Sequence, residues 1–408
     1  MTNVSVLNVM LHGQPIGTLT NVGGDRTIFA FNEDYVEADD RPTLGLGFKD
    51  EFGQLLTEFR PHQKRVMPFF SNLLPEGHLR KYLAERAGVN PEREFHLLWA
   101  LGKDLPGAIT IEPAEGEAWP PTIDKDDEQP SKTDRENVLR FSLAGVQLKF
   151  SAAMDAAGGL TIPATGVGGD WIVKLPSPEY DAVPENEFSM MTLARMAGID
   201  VPQIELVDIG AIKNLPEGIE RLGGHAFIIE RFDRTSDGGP MHIEDFAQVF
   251  GVYPEDKYKT ARMRNIAQVL AAEGSQADTA ELIRRIVFNA LIGNGDMHLK
   301  NWSLIYPDKR TAAIAPAYDF VSTVPYIPGD SYGLKISRTK DFSEITEDEL
   351  IHLAAKAALP EKLVVDAAGE TVARFHEKWQ SEKNNLPMTA KVRDTIEAHI
   401  ETVPLKAS

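Results

Sequence analysis

The chain has 408 residues, a formal net charge of -19 and a pI near 5.0, with 42% hydrophobic and 25% charged residues. This length predicts two or three cooperating lobes, the absence of cysteine excludes disulfides, thiolate zinc sites and thiol nucleophiles, and the acidic charge makes direct binding of a DNA backbone unfavourable without a local basic patch or a basic partner. No apolar run approaches the ~20 residues of a membrane span and the N-terminus does not resemble a signal peptide, so we expect a cytoplasmic protein that does not bind membranes.

The first segment, residues 1 to 111, is predicted to form an N-terminal α/β subdomain. The opening residues alternate apolar and polar side chains as a strand does, and a helix is expected near residues 76 to 87. Residues 112 to 137 then contain nine acidic and three basic side chains and four prolines, which leaves little apolar surface to bury. We interpret residues 112 to 137 as a linker or a long exposed loop.

The second segment, residues 138 to 234, alternates strands with a helix and is predicted to be an ATP-binding lobe. The stretch "FSLAGVQLKF" begins at residue 141 and is a small-residue turn that could fold over phosphates, with Ser142 at its entrance. The remaining elements expected here are a strand at 171 to 176, a helix at 184 to 198, a strand at 201 to 207 and a strand at 225 to 234.

The third segment, residues 235 to 408, is predicted to be a largely helical C-terminal lobe. The run "TAELIRRIVFNALIG" has helical spacing and ends at Gly293, where the loop "GNGDMHLKN" begins. A predicted hairpin from residue 301 to 320 returns the chain, which would bring Asp319 close to Asn301.

The loop and hairpin favour phosphoryl transfer. An Asp, an Asn five residues later and a second Asp after a hairpin match the way protein kinases hold a catalytic base and two magnesium ligands, here Asp296, Asn301 and Asp319. Metallophosphoesterases share "GDMH" but need further motifs that the remaining chain lacks. Small-molecule phosphotransferases carry a very similar loop, and a plain polar loop is the remaining alternative.

Two further stretches agree with a kinase. Lys174 lies in a predicted strand followed by a helix carrying Glu187, the order in which kinases place a phosphate-binding Lys and the Glu that orients it. An edge-strand charge is the alternative for Lys174. The stretch from 228 to 232 leaves an apolar strand where a hinge between lobes would offer backbone groups to adenine.

With these motifs in view, the chain resembles the HipA family of serine/threonine kinase toxins from bacterial toxin-antitoxin pairs, which are linked to persistence. The matching stretches are "FFSNLLPEG", "LGKDLPGAITI", "FSLAGVQLKFS", "WIVKLP", "NEFSMMTLARMAGIDVP", "IIERFDR", "GNGDMHLKN" and "APAYDF", in family order. The resemblance implies an α+β, two-lobed protein-kinase-like fold that uses ATP and Mg²⁺.

The resemblance also implies site residues. Asp296 would be the catalytic base, Asn301 and Asp319 would hold Mg²⁺, and Ser142 would be the serine that the enzyme phosphorylates on itself and thereby inactivates. The implied ATP-binding residues are Ala144, Gly145, Val146, Gln147, Leu148, Lys149, Lys174, Glu230, Arg231, Phe232, His298, Lys300, Asn301, Tyr318 and Asp319. Glu187 would support Lys174 as its ion-pair partner.

The partners implied by the family are a small HipB-like helix-turn-helix antitoxin, operator DNA reached mainly through that antitoxin, and a protein substrate in the translation machinery such as an aminoacyl-tRNA synthetase. The acidic C-terminal segment offers no residues that match DNA contacts. Two alternatives to a protein kinase stay open: a small-molecule phosphotransferase, and a catalytically silent member that acts only as a repressor partner.

Overall fold

The computed structural model of the protein describes residues 5–23, 25–114, 149–154, 160–162, 169–215, 223–235 and 237–406. None of the helices in these ranges combines the length and the apolar character needed to cross a membrane.

The N-terminal part is built on an antiparallel sheet. Its strands are β1 (Ser5–Leu11), β2 (Gln14–Asn21), β3 (Arg26–Phe31), β4 (His62–Gln63) and β5 (Ile109–Pro113), in the spatial order β4-β3-β2-β1-β5. Its helices are α1 (Glu33–Glu37), α2 (Pro68–Ser71), α3 (Gly77–Ala87) and α4 (Glu94–Leu101). The alternation predicted for the opening strand is present, because Leu7, Val9 and Leu11 all point into the core and are fully buried.

Strand β5 continues to Pro113, so the structured N-terminal part extends past the predicted linker start at residue 112. Residues 115 to 137 of that predicted linker lie outside the described residues.

The second part contains a six-stranded sheet and one long helix. Its elements are β6 (Lys149–Met154), β7 (Leu160–Thr161), β8 (Trp171–Lys174), α5 (Val183–Met196), β9 (Ile204–Asp208), β10 (Ile212–Lys213) and β11 (His225–Glu230). The strands lie in the order β10-β7-β6-β8-β11-β9, so β8 pairs antiparallel with both β6 and β11 near the middle. Strand β8 stops at Lys174, two residues before the predicted end, and the Lys174 ammonium binds the Asp319 carboxylate of the C-terminal part.

The C-terminal part is mostly helical, as predicted. Its elements are β12 (Ile243–Asp245), α6 (Phe246–Val249), α7 (Met263–Glu273), α8 (Gln276–Leu291), β13 (Ser303–Ile305), β14 (Ala313–Ile314), α9 (Glu347–Ala357), α10 (Glu361–Glu382) and α11 (Ala390–Ile400). Strands β13 and β14 form the predicted hairpin, with Leu304 opposite Ile314. Helix α8 begins with a capping box, in which the Ser275 and Asp278 side chains each bind the other residue's backbone amide.

The three parts pack against one another. One face of α5 and residues of β9 and β11 pack into the same core as α7, α8 and α10, so the second and third parts share apolar contacts. The N-terminal part has its own core and also contacts the helical lobe, where Asn72 Nδ2 donates to Val252 O at 2.7 Å. The result is a two-lobed, kinase-like α+β fold with an additional N-terminal subdomain attached to the C-terminal lobe.

Candidate active site

The loop after α8 is shaped by a glycine and an asparagine. Gly293 adopts a φ of +66°, and a Cβ there would lie 2.7 Å from the Val324 side chain, so a larger residue would be strained. Asn294 follows and is fully buried. Its Nδ2 donates to Asn289 Oδ1 of α8 at 2.8 Å, which fixes the side chain against the end of the helix.

Asn294 also joins the two predicted acidic site residues. Its Oδ1 accepts the Asp296 backbone amide at 3.1 Å, and its Nδ2 donates to the Asp319 backbone carbonyl at 3.3 Å. One buried amide therefore connects the proposed base and the proposed metal ligand, although they are separated by a hairpin in the sequence.

Asp296 is held by its backbone and by its carboxylate. Asn301 Nδ2 donates to the Asp296 backbone carbonyl at 2.8 Å, and the Tyr258 hydroxyl donates to Asp296 Oδ1. Although Asp296 is exposed as a residue, desolvation of its carboxylate raises its pKa above the ordinary value, while the Tyr258 hydrogen bond opposes that rise. A carboxylate with a raised pKa is a better proton acceptor, which suits a general base.

Asp319 faces two lysines from the other lobe. Its carboxylate binds Lys174, and Lys149 Nζ lies 3.1 Å from Oδ2. Burial alone would raise the pKa of Asp319, but Lys149 and Lys174 lower it well below its ordinary range, so the group stays ionised. Asp319 also has a φ of +59°, an uncommon backbone conformation for a non-glycine residue.

Lys174 forms the predicted pair with Glu187. Both side chains are buried, with exposures of 4% and 3%, and the Lys174 ammonium binds Glu187 Oε1. Burial alone would lower the pKa of Lys174, but Asp319 and Glu187 outweigh it and raise the pKa above its ordinary value. Lys174 is therefore a buried cation on an inner strand, between β6 and β11, and the edge-strand alternative does not describe its environment.

In the segment predicted to meet adenine, residues 230 to 232, neighbouring side chains contact different parts of the structure. The Phe232 ring packs against Tyr318 with centroids 5.5 Å apart, which brings these two predicted nucleotide-site residues together. The Arg231 guanidinium instead binds Asp233 at 2.8 Å and Asp104 at 3.3 Å. The Arg231 side chain thus links the second part to the N-terminal part, while Glu230 ends strand β11.

The two remaining residues of the loop that were predicted to line the nucleotide site, His298 and Lys300, also have defined contacts. His298 is buried, its ring packs edge-on against Tyr258 with centroids 4.9 Å apart, and burial lowers its pKa to about 3, so the imidazole is neutral. The Lys300 ammonium lies 2.8 Å from Glu76 Oε1 and donates to Asn72 O at 3.1 Å. The Lys300 side chain therefore points to the N-terminal subdomain.

Most of the predicted phosphate loop lies outside the described residues. Ser142 and the five residues from Ala144 to Leu148 lie outside the described residues. Lys149, at the start of β6, is the member of that group with a described position, beside Asp319.

Comparison with known proteins gives a consistent result over the whole chain. A model of the HipA-like C-terminal domain matches residues 141–379, and a model of the HipA N-terminal domain matches residues 7–112. The chain belongs to the HipA family.

Individual relatives agree with this family. The chain is 62% identical over 408 residues to Y4dM of Sinorhizobium fredii, a protein named as a kinase, covering 99% of this chain and 98% of the relative. It is 29% identical over 294 residues to the serine/threonine-protein kinase toxin HipA of Shewanella oneidensis, covering 64% of each chain. The fold matches a solved complex of Shewanella oneidensis HipA, HipB and operator DNA with a TM-score of 0.72 at 22% identity, covering 97% of this chain and 95% of that chain.

The donor atoms of this HipA family member fit a magnesium ion. Mg²⁺ prefers oxygen ligands and usually keeps several waters, with one or two carboxylates and substrate phosphates completing its shell. Asp319 offers a carboxylate, and Asn301 offers Oδ1 because its Nδ2 already donates to Asp296 O. Within the described ranges no group of three or more His, Asp or Glu side chains could hold a metal ion.

Three contributors to the site were not identified from the sequence. These are Asn294, which bridges Asp296 and Asp319, Tyr258, which binds the Asp296 carboxylate, and Glu76, which binds Lys300. The Asn-Gly dipeptide at 294 and 295 has the composition of an ordinary turn. Tyr258 lies far from the loop in sequence and outside the matching stretches. Glu76 lies within the stretch "FFSNLLPEG", but nothing local in that stretch indicates a contact with the loop.

Proposed function

We propose that the protein is an ATP- and magnesium-dependent protein kinase that transfers the γ-phosphoryl group to a serine or threonine hydroxyl. The observation that carries this proposal is the joint placement of Asp296 and Asp319 by Asn294, with the Lys174 and Glu187 pair reaching Asp319 from the other lobe. Names of relatives that include "kinase" support the same activity.

Each side chain has a role that follows from its charge and position. Lys174 is a buried cation held by Glu187, so it can neutralise phosphate oxygens with little loss of conformational entropy. Asp296 is placed to orient the acceptor hydroxyl and to take its proton. A bound Mg²⁺, held by Asn301 and Asp319, would neutralise phosphate charge as it develops.

The experiment that tests the proposal measures transfer from radiolabelled ATP with magnesium, with and without bacterial cell extract. A protein kinase labels itself or proteins in the extract and consumes no small-molecule acceptor. Turnover of a small acceptor would instead indicate a small-molecule phosphotransferase, and the absence of ATP binding would indicate a catalytically silent repressor partner.

We also propose that Ser142 is a self-inactivating phosphorylation site, on the basis of the family resemblance. A phosphoserine adds a charge of about -1.5 to -2 at neutral pH, and beside a triphosphate that charge opposes nucleotide binding. Incubation with Mg·ATP should add one phosphate at Ser142 by mass spectrometry and lower ATP affinity. A Ser142→Ala variant that loses activity over time as the wild type does would contradict this role.

The proposed partners are a HipB-like antitoxin, operator DNA bound mainly through that antitoxin, and a cytoplasmic substrate in the translation machinery of the aminoacyl-tRNA synthetase class. The solved Shewanella complex of HipA, HipB and operator DNA supports the first two, and the net charge of -19 supports DNA binding through a partner. Co-purification with the product of a neighbouring reading frame, followed by a gel-shift assay, tests the complex. DNA binding by this chain alone, as strong as with the antitoxin, would refute the indirect contact.

A further inference from the structure

The catalytic loop is connected to the N-terminal subdomain through one carboxylate. Glu76 occupies the N-cap position of α3, but its side chain makes no capping hydrogen bond. Its Oε1 instead lies 2.8 Å from Lys300 Nζ and its Oε2 lies 2.9 Å from Lys257 Nζ. A residue of the N-terminal subdomain therefore binds two lysines of the C-terminal lobe, one of them inside the loop that carries Asp296.

The same lysines lie next to the proposed base. The Lys257 backbone carbonyl accepts the Leu299 amide at 3.2 Å, and the next residue, Tyr258, donates its hydroxyl to Asp296 Oδ1. Lys300 also donates to the Asn72 carbonyl at 3.1 Å. The loop is thus held on two sides, by the segment around Lys257 and by the N-terminal subdomain.

The charges favour this arrangement. Burial alone would raise the pKa of Glu76, but Lys300 and Lys257 lower it to about 2, so the carboxylate is ionised at neutral pH. The lysine side chains are only 15% and 21% exposed, so their ammonium groups have limited access to water as an alternative partner. Removing the carboxylate would leave two adjacent cations without their shared anion.

We propose that Glu76 is a positioning residue for phosphoryl transfer, through which the N-terminal subdomain holds the catalytic loop in its active geometry. This inference rests on the proposed kinase function. Glu76 acts through Lys300 and Lys257 and does not need to contact the substrate itself. The N-terminal subdomain is then part of the catalytic apparatus as well as a structural attachment.

The test compares Glu76→Gln with a matched control, Glu255→Gln. Glu255 pairs with Arg65 and so also joins the C-terminal lobe to the N-terminal subdomain, but both of those side chains are about half exposed and neither contacts the catalytic loop. For Glu76→Gln we expect kcat for transfer to fall about tenfold, a loss of about 1.4 kcal/mol. KM for ATP should change less than about twofold, because Lys174 and Asp319 are held by other contacts. Glu255→Gln should match the wild type, and Glu76→Asp should recover part of the lost kcat.

A double-mutant cycle tests the route through Lys300. If Glu76 acts partly through Lys300, the loss of kcat in the double variant Glu76→Gln and Lys300→Met, expressed as a free energy, should be smaller than the sum of the two single losses. Fully additive losses would overturn the proposed route.

A second readout does not depend on activity. Hydrogen exchange of the peptide spanning residues 293 to 301 should be about tenfold faster in Glu76→Gln and unchanged in Glu255→Gln. A wild type without transfer activity would refute the proposed function, and the exchange rates would then decide whether Glu76 holds the loop. Equal kcat and equal exchange in Glu76→Gln and Glu255→Gln would overturn the inference.

Discussion

Lys174 gives the most quantitative prediction because its environment is fully defined. The side chain is 4% exposed and its ammonium contacts Glu187 and Asp319. Removing one partner of a buried ion pair costs about 3 to 5 kcal/mol, because the remaining charge is left uncompensated. Lys174→Ala should lower the free energy of unfolding by that amount. It should also weaken ATP binding by about tenfold to a hundredfold, the equivalent of one lost charged hydrogen bond.

Lys149→Ala is the matched control, because Lys149 contacts the same Asp319 carboxylate but its side chain is 44% exposed. An ion pair with such an exposed partner is typically worth about 0 to 1 kcal/mol, so the free energy of unfolding should change little. Urea unfolding followed by tryptophan fluorescence measures stability, and calorimetry with Mg·ATP measures affinity. A Lys174→Ala protein as stable as Lys149→Ala, with unchanged ATP affinity, would refute the assignment of Lys174 as the buried phosphate-binding cation.

Three further predictions follow from the same structure. Burial raises the pKa of Glu244 from 4.5 to about 7, so between these pH values the folded state retains a proton that the unfolded chain releases. The free energy of unfolding of the wild type, relative to that of Glu244→Gln, should therefore fall by about 3 kcal/mol as pH rises from 4.5 to 7. Chemical denaturation that gives the same difference between the two proteins at pH 5 and at pH 8 would contradict this. Asn294→Ala should lower the free energy of unfolding by about 2 to 4 kcal/mol, because it removes three hydrogen bonds and leaves the buried Asn289 Oδ1 without its donor. A loss below about 0.5 kcal/mol would count against the bridging role of Asn294. Asp319→Asn should weaken nucleotide binding more in the presence of magnesium than in its absence, and calorimetry showing equal losses under both conditions would argue against a metal ligand there.

Elements with strong local patterns were predicted well from the sequence. The helix expected near residues 76 to 87 is α3, and the apolar periodicity before Gly293 belongs to α8. The order of strand and helix around Lys174 and Glu187 was sufficient to predict their pairing, because the helix that follows a strand packs back on its sheet.

Contacts between distant segments could not be predicted in the same way. The bridge made by Asn294 depends on where Asp319 returns after the hairpin, and the Glu76 contact depends on how the N-terminal subdomain docks. The segment that contains Arg231 is predicted to offer backbone groups to adenine, and nothing in its sequence indicates that the Arg231 guanidinium binds Asp104 and Asp233. Each of these outcomes is set by tertiary packing, which short sequence patterns do not encode.

The central claim is that Asp296 acts as the base in phosphoryl transfer. The most direct test is a single-turnover transfer assay with radiolabelled ATP on Asp296→Asn, with nucleotide affinity measured on the same preparation. The account predicts that ATP binding is retained while the transfer rate falls by about a hundredfold or more, the usual contribution of a positioned general base. Transfer at the wild-type rate by Asp296→Asn would contradict it.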